Sequence, residues 1–154
     1  MTAKLVPVEI GILEITDLGF SINRKSKPSK VFSINFNVEF HFDAKENWIE
    51  FIVIPTYSNK DTNEVAFHGS VLTKFVVKDL LNFMEGDLLK LPEGALVTLY
   101  SMAYTHTRAI MSKNLKGTLF QNQLLPIIDP DHMLKNLFPQ YREVADEKSN
   151  LPVI

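Results

Sequence analysis

Four histidines, His41, His68, His106 and His132, are the side chains best suited to move protons or hold a metal near neutral pH. They stand far apart in the chain. None forms the His-x-x-x-His or His-Glu-x-x-His spacing that sets two ligands on one helical face. Asp129-Pro130-Asp131-His132 gathers carboxylates and an imidazole, the groups an acid–base pair would use. Asp129, however, directly precedes a proline at the start of a helical pattern, where its carboxylate is wanted as an N-cap. His106-Thr107-Arg108 is the other place where proton chemistry could be built. The chain has no Cys, which excludes disulfides, thiolate nucleophiles and thiolate-bound metals. Its six glycines are scattered, so neither a phosphate cradle nor a Gly-x-Ser-x-Gly elbow is present. No constellation supplies nucleophile, base and orienting group together, and the expectation is no enzymatic site, no metal and no cofactor. The enzyme alternative is a small-molecule reaction through His106 or the Asp129/His132 pair.

Charge and apolar surface offer a different chemistry. Arg24, Lys25, Lys27 and Lys30 form a basic run, read either as a solvated loop between two strands or as a contact for an acidic partner. The formal net charge is only -2, which gives no general attraction to nucleic acid or anionic membrane. Leu119, Phe120, Leu124, Leu125, Ile127 and Ile128 crowd a connecting segment, although loops normally carry less apolar material. Such a segment either lies flat on the sheet or lines a groove for apolar stretches of another chain. Trp48, Tyr100 and Tyr104 are amphipathic aromatics that suit an interface or a binding groove.

These residues need elements to hold them. The 154 residues, 45% hydrophobic with 11 Phe, suit one domain with a real core rather than a disordered chain. Phe32, Ile34, Phe36, Val38, Phe40 and Phe42 alternate with mostly polar neighbours, which predicts a strand with one packed face in an antiparallel sheet. Turn residues from Asp43 to Asn47 lead to a returning strand, Trp48 to Tyr57, with Pro55 at an edge or bulge. A second turn cluster, Ser58 to Asn63, leads to a strand from Glu64 to about Val77. The first strand, about Leu5 to Ile22, is too long to run straight, and Asp17-Leu18-Gly19 marks a bulge or bend within it. Asp79 to Phe83 suits one helical turn. Leu96, Leu99, Tyr100, Ala103, Thr107, Ile110 and Met111 then recur at helical spacing over Glu93 to Lys116, with Gly117 just past the end. Val97, Met102 and Tyr104 fall off that seam, which points to self-association. A short helix follows from Pro130, carrying Met133, Leu134, Leu137 and Phe138, and Pro139 stops it. Strands followed by helices give an α+β class, with four strands expected in sequential order and the long helix on one side. Residues 1–142 make the domain, and 143–154 a loosely held tail. No run reaches the about 20 apolar residues of a membrane span, nor the unbroken apolar core of a signal peptide, so a cytoplasmic protein is expected.

The order of these elements resembles the SecB protein-export chaperone family. Asp17-Leu18-Gly19-Phe20 is similar to the family's Asp-x-x-Phe motif, and Glu64-Val65-Ala66-Phe67 with the apolar run after it is similar to its fourth strand. Gly117-Thr118, then Leu125-Pro126-Ile127, then Asp131, Leu134 and Phe138 resemble its Gly-Thr loop, its proline turn and its closing helix. The resemblance spans about residues 8 to 140. It implies a four-stranded antiparallel sheet, a long helix, a short C-terminal helix and assembly as a homo-dimer or homo-tetramer. It also implies a holdase that binds extended apolar segments of unfolded or nascent polypeptides. Phe20, Tyr100, Tyr104, Phe120 and Leu124 are then the candidate groove residues. In the family, acidic residues on the strands contact the translocation motor. Asp17 matches one, but Ser21 and Ser70 stand where two others would be, beside the basic Arg24, Lys25, Lys27 and Lys30. A chaperone without that motor contact is the expectation, and relatives serving toxin–antitoxin systems are equally implied. The non-enzymatic alternative is an adaptor whose apolar surface serves only to oligomerise.

Overall fold

A computed structural model describes residues 7–138. The expected tail from 143, the start of the first strand near Leu5 and the stop at Pro139 lie outside them. Four long strands come first: β1 (Ile10–Ile22), β2 (Phe32–Asp43), β3 (Trp48–Asn59) and β4 (Val65–Val77). A single 3-10 turn, Leu80–Phe83, precedes a minimal hairpin of β5 (Met84–Glu85) and β6 (Leu88–Leu89). Helices α1 (Glu93–Leu115) and α2 (Pro130–Leu137) complete the described residues. This is an α+β fold with α1 laid against one face of an antiparallel sheet.

The tight hairpins follow from their turn residues. Asn47 and Asn63 adopt left-handed backbone (φ 59 and 56), which asparagine tolerates better than most residues. The Asp43 carboxylate accepts hydrogen bonds from the N–H groups of Lys45 and Glu46, and the Asn59 side chain does the same for Asp61 and Thr62. These local bonds fold β2–β3 and β3–β4 into neighbouring pairs.

The sheet order is β1-β4-β3-β2, not the sequential order expected. The connection of residues 23–31 explains the difference. At its start the Asn23 N–H donates to the carbonyl of Ala66 in β4, and at its end the carbonyl of Val31 accepts from Lys60 just past β3. The chain therefore crosses the end of β4 and β3 before entering the far edge, a Greek-key return rather than a hairpin. Pro55 consequently lies in an interior strand, not at an edge. The β3–β4 ladder skips Ile54 and Pro55, where proline has no N–H to donate. The irregularity expected at residues 17–19 is present, and a second register shift occurs between Ile12 and Glu14.

The packed face of the sheet is set by alternation. Ile49, Phe51 and Val53 of β3 and Val71, Thr73, Phe75 and Val77 of β4 are 0–1% exposed beneath α1. The even-numbered residues of β2 are half-buried on that same side, while Asn35, Asn37, Glu39 and His41 face out. On α1 the buried set is Leu96, Leu99, Tyr100, Ala103, Tyr104, Thr107, Met111 and Leu115. Tyr104 thus belongs to the inner seam, contrary to the sequence expectation. Two apolar clusters result, one around Phe51 and Leu99, the other around Phe67, Met111 and Phe120. Phe36 touches both. Gly69 allows α1 to come close to β4, because a Cβ there would overlap the Met111 sulfur.

Candidate functional site

The end of the molecule where α1 stops carries the most distinctive surface. Gly117 takes a left-handed conformation (φ 81) that ends the helix, a conformation most side chains resist. The Thr118 N–H and hydroxyl both donate to the carbonyl of Leu115, and its hydroxyl oxygen accepts from Phe120 N–H. This tight reversal turns Phe120 inward and Leu119 outward. Phe120 is 1% exposed against Phe67, with ring centres 5.4 Å apart, whereas Leu119 is 67% exposed.

Farther along, three side chains fasten the segment. The Tyr57 hydroxyl donates to Gln123 Oε1 (2.9 Å), Arg108 Nε donates to the Leu125 carbonyl (3.0 Å), and the Tyr104 hydroxyl donates to the Pro126 carbonyl (2.6 Å). Leu125 is buried while Leu124 and Ile127 are 60% and 85% exposed. Both alternatives read from the sequence therefore hold in part: Phe120 and Leu125 anchor the segment, and Leu119, Leu124 and Ile127 present apolar surface. Beside it, a cavity of about 410 Å³ lies between the end of β1, the basic connection and the Gly117–Phe120 turn. Ile22, Leu119 and Phe120 give it apolar surface, and Arg24 and Ser26 contribute polar groups.

Of the five candidate groove residues, Tyr100, Tyr104 and Phe120 are at most 5% exposed, Phe20 is half-buried and Leu124 is open. Burial pushes the Tyr100 phenol up to about 12, helped by Tyr104. Burial does the same to Tyr104, against a smaller pull from Arg108. Both hydroxyls stay neutral, and Tyr100 Oη has no hydrogen-bond partner among the described residues. Asp17 accepts from the Asn114 side chain and from Gly19 N–H, so it ties β1 to α1. Arg24, Lys25, Lys27 and Lys30 are all exposed on the connection that crosses the sheet. Sequence reasoning passed over Ile12, Leu13, Ile15 and Leu18 of β1, which are 44–56% exposed.

The histidines do not converge. His106 Nδ1 lies 3.2 Å from Thr73 Oγ1, and burial lowers its pKa. The Asp129 carboxylate accepts from the N–H groups of Asp131 and His132, the capping role its position suggested. Among the described residues no three His, Asp or Glu side chains gather in a metal-holding arrangement. No described helix is long and apolar enough to cross a membrane. The arrangement offers apolar burial beside positive charge.

No family model matches the sequence, and no curated protein matches it. Among solved structures, one similar fold is that of the Mycobacterium tuberculosis SecB-like chaperone Rv1957, determined in complex with a ChAD peptide from the HigA1 antitoxin. The likeness has a TM-score of 0.54 at 14% identity, over 78% of this chain and 90% of that one. A sequence widely diverged from that neighbour therefore folds into the SecB-like architecture of four antiparallel strands, a long helix and a short closing helix.

Proposed function

We propose that the chain is a SecB-like holdase that binds extended apolar segments of unfolded polypeptides in the cytoplasm. The observation that carries this reading is the exposure of Leu119, Leu124 and Ile127 on a segment fastened beside a partly apolar cavity. A large apolar side chain moved from water onto such a surface contributes up to about 1.5–3 kcal/mol, less the cost of ordering the client. Of the five residues named from the sequence, Phe20 and Leu124 serve as direct contacts. Tyr100, Tyr104 and Phe120 act from beneath by holding the segment in place. Ser21 and Ser70, with the basic connection between β1 and β2, speak against the usual motor contact.

A second reading is favoured by β1. Its exposed Ile12, Leu13, Ile15 and Leu18 suit burial in a homo-dimer or homo-tetramer, and an adaptor would use its apolar surface for that purpose alone. The two readings separate in one experiment. Wild type is expected to suppress aggregation of a chemically denatured client, and Leu119→Asp with Leu124→Asp to lose most of that protection while keeping its circular dichroism and molar mass. Protection by neither protein leaves the adaptor. Equal protection by both overturns the site.

A further inference from the structure

We propose that the cavity beside the basic connection selects polypeptide segments in which a bulky apolar side chain is flanked by carboxylates. This rests on the polypeptide-binding reading and adds a charge preference to it. The cavity volume of about 410 Å³ falls within the range of ligand pockets and suits one or two side chains of an extended chain. Its apolar surface from Ile22, Leu119 and Phe120 takes the apolar group.

The charge beside that surface is mainly positive. Arg24 lines the cavity, Lys25, Lys27 and Lys30 continue the same connection, and Lys116 adjoins Gly117 at the opposite wall. None of these five makes an ion pair among the described residues, where the pairs found involve His41, Lys78, Lys90 and Lys135. Two neighbouring carboxylates keep their charge and offset part of it: Glu64 accepts from the neutral amide of Asn23 (2.6 Å) and Asp17 from that of Asn114 (2.9 Å), which leaves the five cations in excess.

Asn23 fixes where this charge sits. Its N–H donates to Ala66, its carbonyl accepts from Ser26 N–H, and its side-chain oxygen accepts from Lys25 N–H. Arg24 is thus carried on a bonded turn directly after β1. A carboxylate arriving next to a seated apolar side chain meets Arg24 at the cavity wall, the lysines of the connection add attraction from farther off, and salt weakens both. The apolar surface and the chain's net charge of -2 favour a polypeptide over a polynucleotide.

The test measures anisotropy of three peptides carrying the same neutral dye. Each holds a central Phe-Leu in a Gly/Ser host, flanked on both sides by Glu, Gln or Lys. The full chain at low ionic strength is expected to bind the Glu peptide about tenfold more tightly than the Gln peptide, and the Lys peptide more weakly still. Added salt should narrow this spread. Arg24→Gln with Lys27→Gln, both at exposed positions, should abolish the preference, bringing the Glu and Gln peptides to the same affinity. Equal binding of all three peptides by wild type overturns the charge preference and leaves polypeptide binding standing. Binding of none overturns both. Displacement of the Glu peptide by a far lower concentration of a single-stranded oligonucleotide overturns the choice of partner.

Discussion

The two edges of the sheet solve opposite problems. Along β2, half-buried apolar side chains alternate with exposed polar ones, and Phe40 closes against Phe138 with ring centres 5.0 Å apart. Along β1, four large apolar side chains stay 44–56% exposed, and two register shifts break the ladder to β4. One edge is finished within the single chain. The other leaves its apolar side chains open, the surface that the proposed assembly would bury, while its bulges discourage unregulated edge pairing.

Mutations should separate the edges. Phe36→Ala on β2 removes a ring that spans both clusters and meets Tyr104 at 5.4 Å, so a loss of about 2–4 kcal/mol is expected in denaturant unfolding. On the same closed side, Tyr100→Phe removes a buried hydroxyl that lacks a partner among the described residues and should raise stability by about 1 kcal/mol. A clear loss instead would mean that this hydroxyl is bonded in solution. Leu18→Ser on β1 should change stability by less than about 0.5 kcal/mol. Light scattering should nevertheless show its mass falling toward 17.6 kDa if wild type is assembled. Equal stability losses from Phe36→Ala and Leu18→Ser would erase the contrast.

The smallest effect concerns pH. His106 reaches Thr73, whose strand partner on β1 is Ile15, and burial holds its pKa below the usual 6.5. The unfolded chain then binds this proton more readily than the folded one. The associated stability is fully present above about pH 6.5 and declines as pH falls below it. His106→Gln should flatten that part of the acid limb, as measured by the unfolding midpoint across pH 5 to 7.

What the sequence disclosed follows the same division. β2 could be read because an edge strand with one packed face shows its period directly, and α1 because its seam runs unbroken from Leu96 to Leu115. Strand order could not be read. A connection of the length of 23–31 is compatible with either edge, and its decisive bonds, Asn23 to Ala66 and Lys60 to Val31, are between backbone groups that every sequence has. The second β1 irregularity, at Leu13, carries no glycine to announce it. In the segment after α1, apolar residues follow no period, so nothing distinguished inward Phe120 and Leu125 from outward Leu119, Leu124 and Ile127. Tyr100 and Tyr104 suited a wet groove by type, yet Tyr104 spends its hydroxyl inside the fold on Pro126.

That last bond has a consequence when taken with those from Tyr57 and Arg108. They reach residues 123–126 from two different elements, and Phe120 and Leu125 are held in apolar contact on the inner side. The segment's conformational entropy was surrendered when the chain folded. On the proposed reading, a client settling on Leu119, Leu124 and Ile127 would be ordered itself, but the backbone beneath it has little freedom left to lose. Binding to a floppy loop would carry both ordering costs, each immobilised side chain adding about 0.5–1.5 kcal/mol. In the proposed holdase, with one side already rigid, fewer apolar contacts would reach a given affinity, and a client segment of only a few residues would suffice.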